Sequence, residues 1–197
     1  MVAPTEEAIR LGIRNALAQA DIAPSQIGVV DTHGSANLVS DVMEARAIAA
    51  ELRSQDGDPV CVLATKSHIG HLYGGSGATS MMTIVQALRT RTAPGIRRLE
   101  HLRPELDGVI RRALPQKETA PLPASTTAGA VNSLGLGGSN YFAILTDDTR
   151  QPSASAVAND GPPLGDAFAA YLSRKEPELK ALVDAAIVRF RGVLPSD

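Results

Sequence analysis

Residues 27–34 read Ile27-Gly-Val-Val-Asp-Thr-His-Gly34, and residues 60–71 read Val60-Cys-Val-Leu-Ala-Thr-Lys-Ser-His-Ile-Gly-His71. Each is a short apolar run that breaks into a loop carrying histidine. Neither run alternates apolar with polar residues, and strands apolar on both faces belong to parallel sheets covered by helices on each side. Between them Ala45, Ile48, Ala49 and Leu52 recur at helical spacing, and Asp41 and Glu44 stand as a capping box at the helix start. Gln55-Asp-Gly-Asp58 predicts the turn into the second strand. Strand, helix, strand in this order implies a right-handed crossover and an α/β fold.

Working outward, Thr5 caps a helix over 5–20 that has Glu6 and Glu7 in its first turn and Ile9, Ile13, Ala16, Leu17 and Ala20 on one face. A second long helix is predicted over 75–88. It opens with small residues (Gly74, Gly75, Ser76, Gly77, Ala78) and is apolar nearly all round, the pattern of a helix buried between layers. Residues 94–125 carry several prolines without sustained periodicity and are expected to form an irregular surface excursion. Ala128–Ser133 and Asn140–Thr146 read as an antiparallel pair joined by Leu134-Gly-Leu-Gly-Gly138, which makes the sheet mixed. Composition shifts at Asp148. Residues 149–166 read as a Ser/Pro/Ala/Gly-rich linker, followed over 167–197 by a segment with an amphipathic helix from Pro177 to Arg191.

The chain has 197 residues, 44% apolar and 20% charged, with a net charge of −2. That balance argues against a protein held to nucleic acid by phosphate contacts. No apolar stretch approaches the roughly 20 residues of a membrane helix. No signal peptide is evident in the acidic start, and a single cysteine fits a reducing compartment, so a cytoplasmic protein is expected. The core holds few large rings, with six aromatics and no Trp, so Ala, Val, Ile and Leu must fill it.

Three polar clusters fall at expected strand ends: Asp31-Thr-His-Gly34, Lys66-Ser-His-Ile-Gly-His71 and Ser133-Leu-Gly-Leu-Gly-Gly-Ser-Asn140. Ligands of α/β sheets collect outside the carboxyl ends of parallel strands. Histidine is suited to proton transfer and oxyanion stabilisation near neutral pH, and Lys66 would bias nearby imidazoles toward the neutral form. Plainer readings stand beside this one. A histidine at a strand end is commonly a structural hydrogen-bonder. His33, His68 and His71 together have the composition of a zinc site, although the charge of Lys66 disfavours a dication, and no metal is expected. The glycine run lacks the Lys-Ser/Thr of a phosphate loop. Cys61 reads as a buried thiol rather than a nucleophile, and the arginines from Arg89 to Arg112 as a solvated surface or a docking patch for an acidic partner. The residues alone stop at a two-histidine, one-lysine site of unknown reaction.

Taken together, the clusters resemble the C-terminal half of a β-ketoacyl synthase, the condensing domain of polyketide and fatty acid synthases. The family runs V-E-A-H-G-T-G-T with G-D-P-x-E-A, then K-S-N-I-G-H, then S-F-G-F-G-G-T-N. Here the same order reads Val30-Asp-Thr-His-Gly-Ser-Ala-Asn37 with Ser40-Asp-Val-Met-Glu-Ala45, then Lys66-Ser-His-Ile-Gly-His71, then Asn132-Ser-Leu-Gly-Leu-Gly-Gly-Ser-Asn140. The resemblance covers residues 5–148 and implies a domain over 1–148, the C-terminal half of a thiolase-like αβαβα layered fold with a mixed sheet and a buried central helix. Ala170-Tyr-Leu-Ser-Arg-Lys-Glu-Pro resembles the opening of the linker region that follows such domains.

The resemblance further implies chemistry and partners. His33 and His71 match the histidines that promote decarboxylation of a malonyl-type thioester and stabilise its enolate, and Lys66 matches the lysine that supports the second. Ser35, Asn37, Leu136, Gly137 and Gly138 match positions that contact pantetheine or the acyl pocket. No cofactor is expected to be tightly bound, because substrates arrive on the phosphopantetheine of an acyl carrier protein. The implied partners are a ketosynthase N-terminal half carrying the nucleophilic Cys, the carrier protein, and a second protomer through a thiolase-type dimer. Alone, the chain is expected to be inactive and to expose apolar surface. Several positions depart from the pattern: Ser35-Ala36-Asn37 replaces Thr-Gly-Thr, Leu136 replaces the gating Phe, and His68 replaces Asn. These departures leave open an alternative, a non-catalytic ketosynthase-like scaffold that binds a partner.

Overall fold

The computed structural model describes residues 5–52, 59–106, 109, 113–135 and 138–146. The expected turn over 55–58, the linker over 149–166 and the segment over 167–197 lie outside the described residues.

The first helix, α1 (Glu6–Ala20), starts where Thr5 Oγ1 accepts the Ala8 N–H at 3.2 Å, and its buried stripe is Ile9, Ile13 and Leu17. It leads through a 3-10 turn over Pro24–Gln26 into β1 (Ile27–Asp31), every residue of which is buried. Then come α2 (Ser40–Glu51) and β2 (Val60–Leu63), the latter parallel to β1. The expected strand–helix–strand unit is therefore present. Its helix begins differently, however. Asn37 Oδ1 accepts the N–H groups of Val39 and Ser40 at 2.9 and 3.2 Å, so Asn37 holds the start of α2 and the Asp41/Glu44 capping box does not form. Glu44 shares the helix face of Ala47 and Ile48, and turns into the protein instead of back toward the helix end.

After β2 follow a short helix α3 (Lys66–Ile69), a 3-10 turn over Tyr73–Gly75 and α4 (Ser76–Thr90). The stretch expected to be irregular is partly ordered. β3 (Thr92–Ala93) pairs antiparallel with β5 (Ala120–Pro121), while β4 (Ala113–Pro115) adds to the main sheet beside β2. The physical reason is an open edge: the backbone groups of β2 need a partner, and a three-residue segment suffices despite its proline, because it is itself at the edge. The chain finishes its sheet with β6 (Ala128–Leu134) and β7 (Asn140–Thr146), antiparallel as expected. The strand order is β4-β2-β1-β6-β7.

Both faces of this sheet are covered. Val30, Val60, Val62, Ala128 and Ala130 face α1 and α2, meeting Ile9, Ile13 and Ile48. Val29, Cys61, Leu63 and Val131 face the other way, meeting Ile84, Ala87 and Leu88 of α4. The contact with α4 is close: a Cβ on Gly129 would lie 2.6 Å from Ile84 Cγ2, so no larger residue fits between β6 and the helix.

Helix α4 buries one side, through Ser76, Ser80, Ile84, Ala87 and Leu88. Its opposite side carries Met81, Met82 and Val85, all exposed, Met82 at 70%. The burial expected all round this helix is thus supplied on one side only by the described residues, since they cover one side of it and not the other. Ile69, Leu72 and Tyr73 extend the exposed apolar series toward the N-terminus of α4. Among the described residues no helix is long and apolar enough to cross a membrane.

Candidate functional site

The ends of β1 and β2 lie side by side, with Asp31 paired in register with Leu63. The loops that leave them are therefore neighbours. Thr32 donates both its N–H and its hydroxyl to Leu63 O, at 3.1 and 2.8 Å, and Asp31 Oδ1 accepts the Thr65 N–H at 2.9 Å. These bonds place His33 of the first loop beside His71 of the second. Their ring centroids are 5.6 Å apart, with planes crossing at 81°.

Glu44 anchors His33. This fully buried carboxyl accepts the His33 N–H at 2.6 Å and the Asn132 side-chain N–H at 2.7 Å on Oε1, and the Gly34 N–H at 3.1 Å on Oε2. It thereby ties α2, the His33 loop and β6 together. Burial pushes Glu44 up to about 7, against the pull of Asn132 and the two backbone donors. Helical spacing alone assigns Glu44 to a cap and misses this role. The available signal is a charged residue on the inward helix stripe, which must find donors.

Each imidazole has one nitrogen committed to a backbone donor. The Leu134 N–H donates to His33 Nδ1 at 3.3 Å, and the Tyr73 N–H donates to His71 Nδ1 at 3.0 Å. A peptide N–H can only donate, so both Nδ1 atoms accept, and in the neutral rings the proton sits on Nε2. Ser76 Oγ lies 2.9 Å from the same His71 nitrogen and accepts the Leu72 N–H at 3.0 Å. His33 is held down to about 4, chiefly by burial, then by Lys66 and His71. It stays neutral at physiological pH and offers Nε2–H as a donor.

Lys66 opens α3. Burial lowers its proton affinity, opposed by the charges of Asp31, Glu44 and Asp41. The third histidine of the cluster turns away: His68 Nε2 lies 2.7 Å from Gly95 O, a carbonyl that must accept, so this imidazole ties down the segment after β3. His33, His68 and His71 therefore do not form the zinc arrangement considered from their spacing. Among the described residues no group of three His, Cys, Asp or Glu is placed to hold a metal ion. Arg91, one of the arginines read as a solvated surface or a docking patch, donates to Thr126 O and Pro123 O at 2.7 and 2.9 Å.

The matched binding positions behave unequally. Ser35 and Asn37 lie on an exposed loop, where Asn37 Oδ1 is occupied by its backbone bonds to α2. Ala36 between them has φ of +60°, a left-handed conformation that glycine adopts freely and alanine does not. Asp41 lies under this loop; burial raises its proton affinity, and the backbone amides of Asn37, Ser35 and Ala36 lower it. Gly138 has φ of +81° and closes the turn after β6 by donating to Gly135 O at 3.1 Å. Leu136 and Gly137 lie outside the described residues. Beside His68 a cleft of about 340 Å³ opens along the exposed side of α4, with Leu63, Thr65, Ile69, Met82 and Pro94 in its walls.

Chemically, the site presents two adjacent imidazoles and, near enough for its charge to be felt at His33, a half-buried ammonium. Such fixed donors stabilise negative charge as it develops on an oxygen, without reorganisation during the reaction.

Comparison with known proteins identifies the family. Residues 1–100 match the family described as beta-ketoacyl synthase, C-terminal domain. A highly reducing polyketide synthase of Aspergillus carbonarius is 31% identical over 193 residues, 94% of this chain and 7% of that protein. A phenolphthiocerol/phthiocerol polyketide synthase protein of Mycobacterium tuberculosis is 30% identical over 83% of this chain and 9% of its own length. The chain thus spans under a tenth of these relatives. Among solved structures, an oxazolomycin ketosynthase domain of Streptomyces albus superimposes with a TM-score of 0.67 at 26% identity, covering 76% of this chain and 27% of that one. A ketosynthase of the bacillaene polyketide synthase of Bacillus amyloliquefaciens gives 0.67 at 23%, covering 74% and 27%, a likeness of fold.

Proposed function

The chain belongs to the β-ketoacyl synthase C-terminal domain family, and from that premise we propose that it is the histidine-bearing half of a polyketide-type ketosynthase site. The observation that carries this reading is the pair of imidazoles 5.6 Å apart, each with Nδ1 occupied by a backbone donor. Both Nε2–H groups are then free to donate to one thioester carbonyl oxygen. When a malonyl-type thioester loses its carboxylate, the C–C bond breaks, CO2 leaves, and the electron pair moves onto that oxygen as an enolate. His33 and His71 stabilise it, and Lys66 supplies positive charge nearby. The enolate carbon then attacks an acyl thioester held on the Cys of an N-terminal ketosynthase half, expelling the thiolate. Cys61 does not serve as that nucleophile, since it is buried in β2 between the sheet and α4.

The partners follow from the same reading. The N-terminal half covers the exposed side of α4 at Met81, Met82 and Val85, an acyl carrier protein brings substrates on phosphopantetheine, and the completed domain dimerises. The test is co-expression with a candidate N-terminal half. A stable complex that loads an acyl group and decarboxylates a malonyl thioester is expected, with the decarboxylation lost in His71→Ala. Met82→Glu should weaken the complex while leaving this chain folded. Failure of every candidate half to bind would sink the proposal.

One observation favours a second reading, a non-catalytic scaffold. The Ser35-Ala36-Asn37 loop carries a left-handed alanine, and its Asn side chain is committed to the start of α2, at the positions matched to pantetheine contacts. Decarboxylation unchanged by His71→Ala in an assembled complex would support the scaffold.

A further inference from the structure

Tyr73 is 82% exposed, so burial does not explain its place. Its backbone nonetheless adopts φ of +49°, a conformation disfavoured for any residue with a side chain, while the two residues after it are Gly74 and Gly75. A strained residue kept beside two unstrained alternatives points to a local requirement. Two contacts supply it. The Tyr73 N–H donates to His71 Nδ1 at 3.0 Å, and the phenol ring stacks on the same imidazole, with centroids 5.1 Å apart and planes inclined by 21°. Both contacts come from this one residue.

We infer that Tyr73 is a positioning residue for His71: its left-handed backbone fixes the Nε2–H tautomer, and its stacked ring stops the exposed imidazole from rotating away from His33. Ser76 Oγ holds the same nitrogen from the start of α4, while the stacked ring is supplied by Tyr73. His71 needs such a device because it is exposed and lacks the buried carboxyl that anchors the His33 loop. The consequence for turnover rests on the ketosynthase reading. The geometry of the imidazole does not.

The test separates the two. In the full chain labelled with 15N at histidine, long-range proton–nitrogen spectra should show His71 Nε2 as the protonated nitrogen and Nδ1 as the acceptor. Its carbon-bound ring protons should be shifted upfield by the neighbouring phenol. Tyr73→Phe should preserve both signatures. Tyr73→Gly accepts the same φ without strain and keeps the N–H, so it should retain the tautomer and lose the upfield shift. In the ketosynthase assembled with an N-terminal half, Tyr73→Gly should lower kcat for malonyl decarboxylation about tenfold with KM nearly unchanged, and Tyr73→Phe should restore it. A wild-type proton on Nδ1, ring protons or kcat unaltered in Tyr73→Gly, or a Phe variant behaving like the Gly variant would each overturn the inference. Failure of the ketosynthase reading shows separately, as decarboxylation indifferent to His71→Ala.

Discussion

His33 and His71 sit side by side, yet the protein holds them by opposite means. His33 is anchored over long sequence distances: its N–H goes to Glu44, eleven residues on, and its Nδ1 to Leu134, 101 residues on. His71 is held by its neighbours, Tyr73 and Ser76, within five residues. The first imidazole is half-buried at the meeting of three elements and is kept neutral by that burial, by Lys66 and by His71. The second lies on an exposed turn. One position is therefore a product of the whole fold, while the other is largely written into a hexapeptide. Damage to the core should disturb the first and spare the second.

The largest expected effect comes from Glu44. Glu44→Ala leaves the N–H groups of His33 and Gly34 and the Asn132 amide without their acceptor in a buried site, which costs about 3 kcal/mol in urea unfolding. A cost no larger than that of a surface substitution would break the contrast. His71 resonances should meanwhile change little in that variant.

Next comes pH. The unfolded chain protonates His33 near the ordinary 6.5, the folded chain only near about 4. Between these values the unfolded state binds more protons, so His33 makes stability rise with pH. The stability difference between wild type and His33→Gln should accordingly grow from pH 4 to 6.5, and proton NMR of His33 should titrate near 4. Glu44 acts in the opposite sense. Its folded value of about 7 lies above the ordinary 4.5, so the folded state holds more protons and the contribution of Glu44 falls as pH rises through that window. Comparing wild type with Glu44→Gln across the same range isolates that slope, and a flat difference would contradict it.

Ser76→Ala probes the local side. It removes the acceptor of the Leu72 N–H and one contact to His71, a loss of about 1 kcal/mol by thermal or urea unfolding. A loss as large as that of Glu44→Ala would erase the distinction. Smallest is Ala36→Gly, which relieves the left-handed alanine and should stabilise the chain by about 0.5 kcal/mol net of the added unfolded-state entropy.

Legibility followed the same divide. Lys66 and His71 stood in a short motif directly after an apolar strand, and local pattern sufficed to place them. His33 was legible as a residue, but its anchor was not: Glu44 has the spacing of a capping box, and only the packing of α2 against the sheet turns it inward. Asn37 took the capping role because its side chain reaches the first amides of α2 from the preceding loop. His68 looked equivalent to its neighbours, and the crossing of the segment around Gly95, twenty-seven residues away, redirected it. The stretch over 94–125 has no periodicity because β4 is too short to show one, and its pairing was set by the free edge of β2.

By itself the amino-acid sequence determined the elements around the site, the parallel character of β1 and β2, the antiparallel close of the sheet and the three polar clusters at its ends. Periodicity, strand hydrophobicity and turn residues are local properties, and they survive in a linear string. The tertiary structure decided which polar side chains meet across the fold, which nitrogen of His33 carries its proton, and which side of α4 is left uncovered. Those outcomes depend on donors and apolar surfaces brought together from distant parts of the chain, where burial raises the cost of every unpaired group and so selects the pairings.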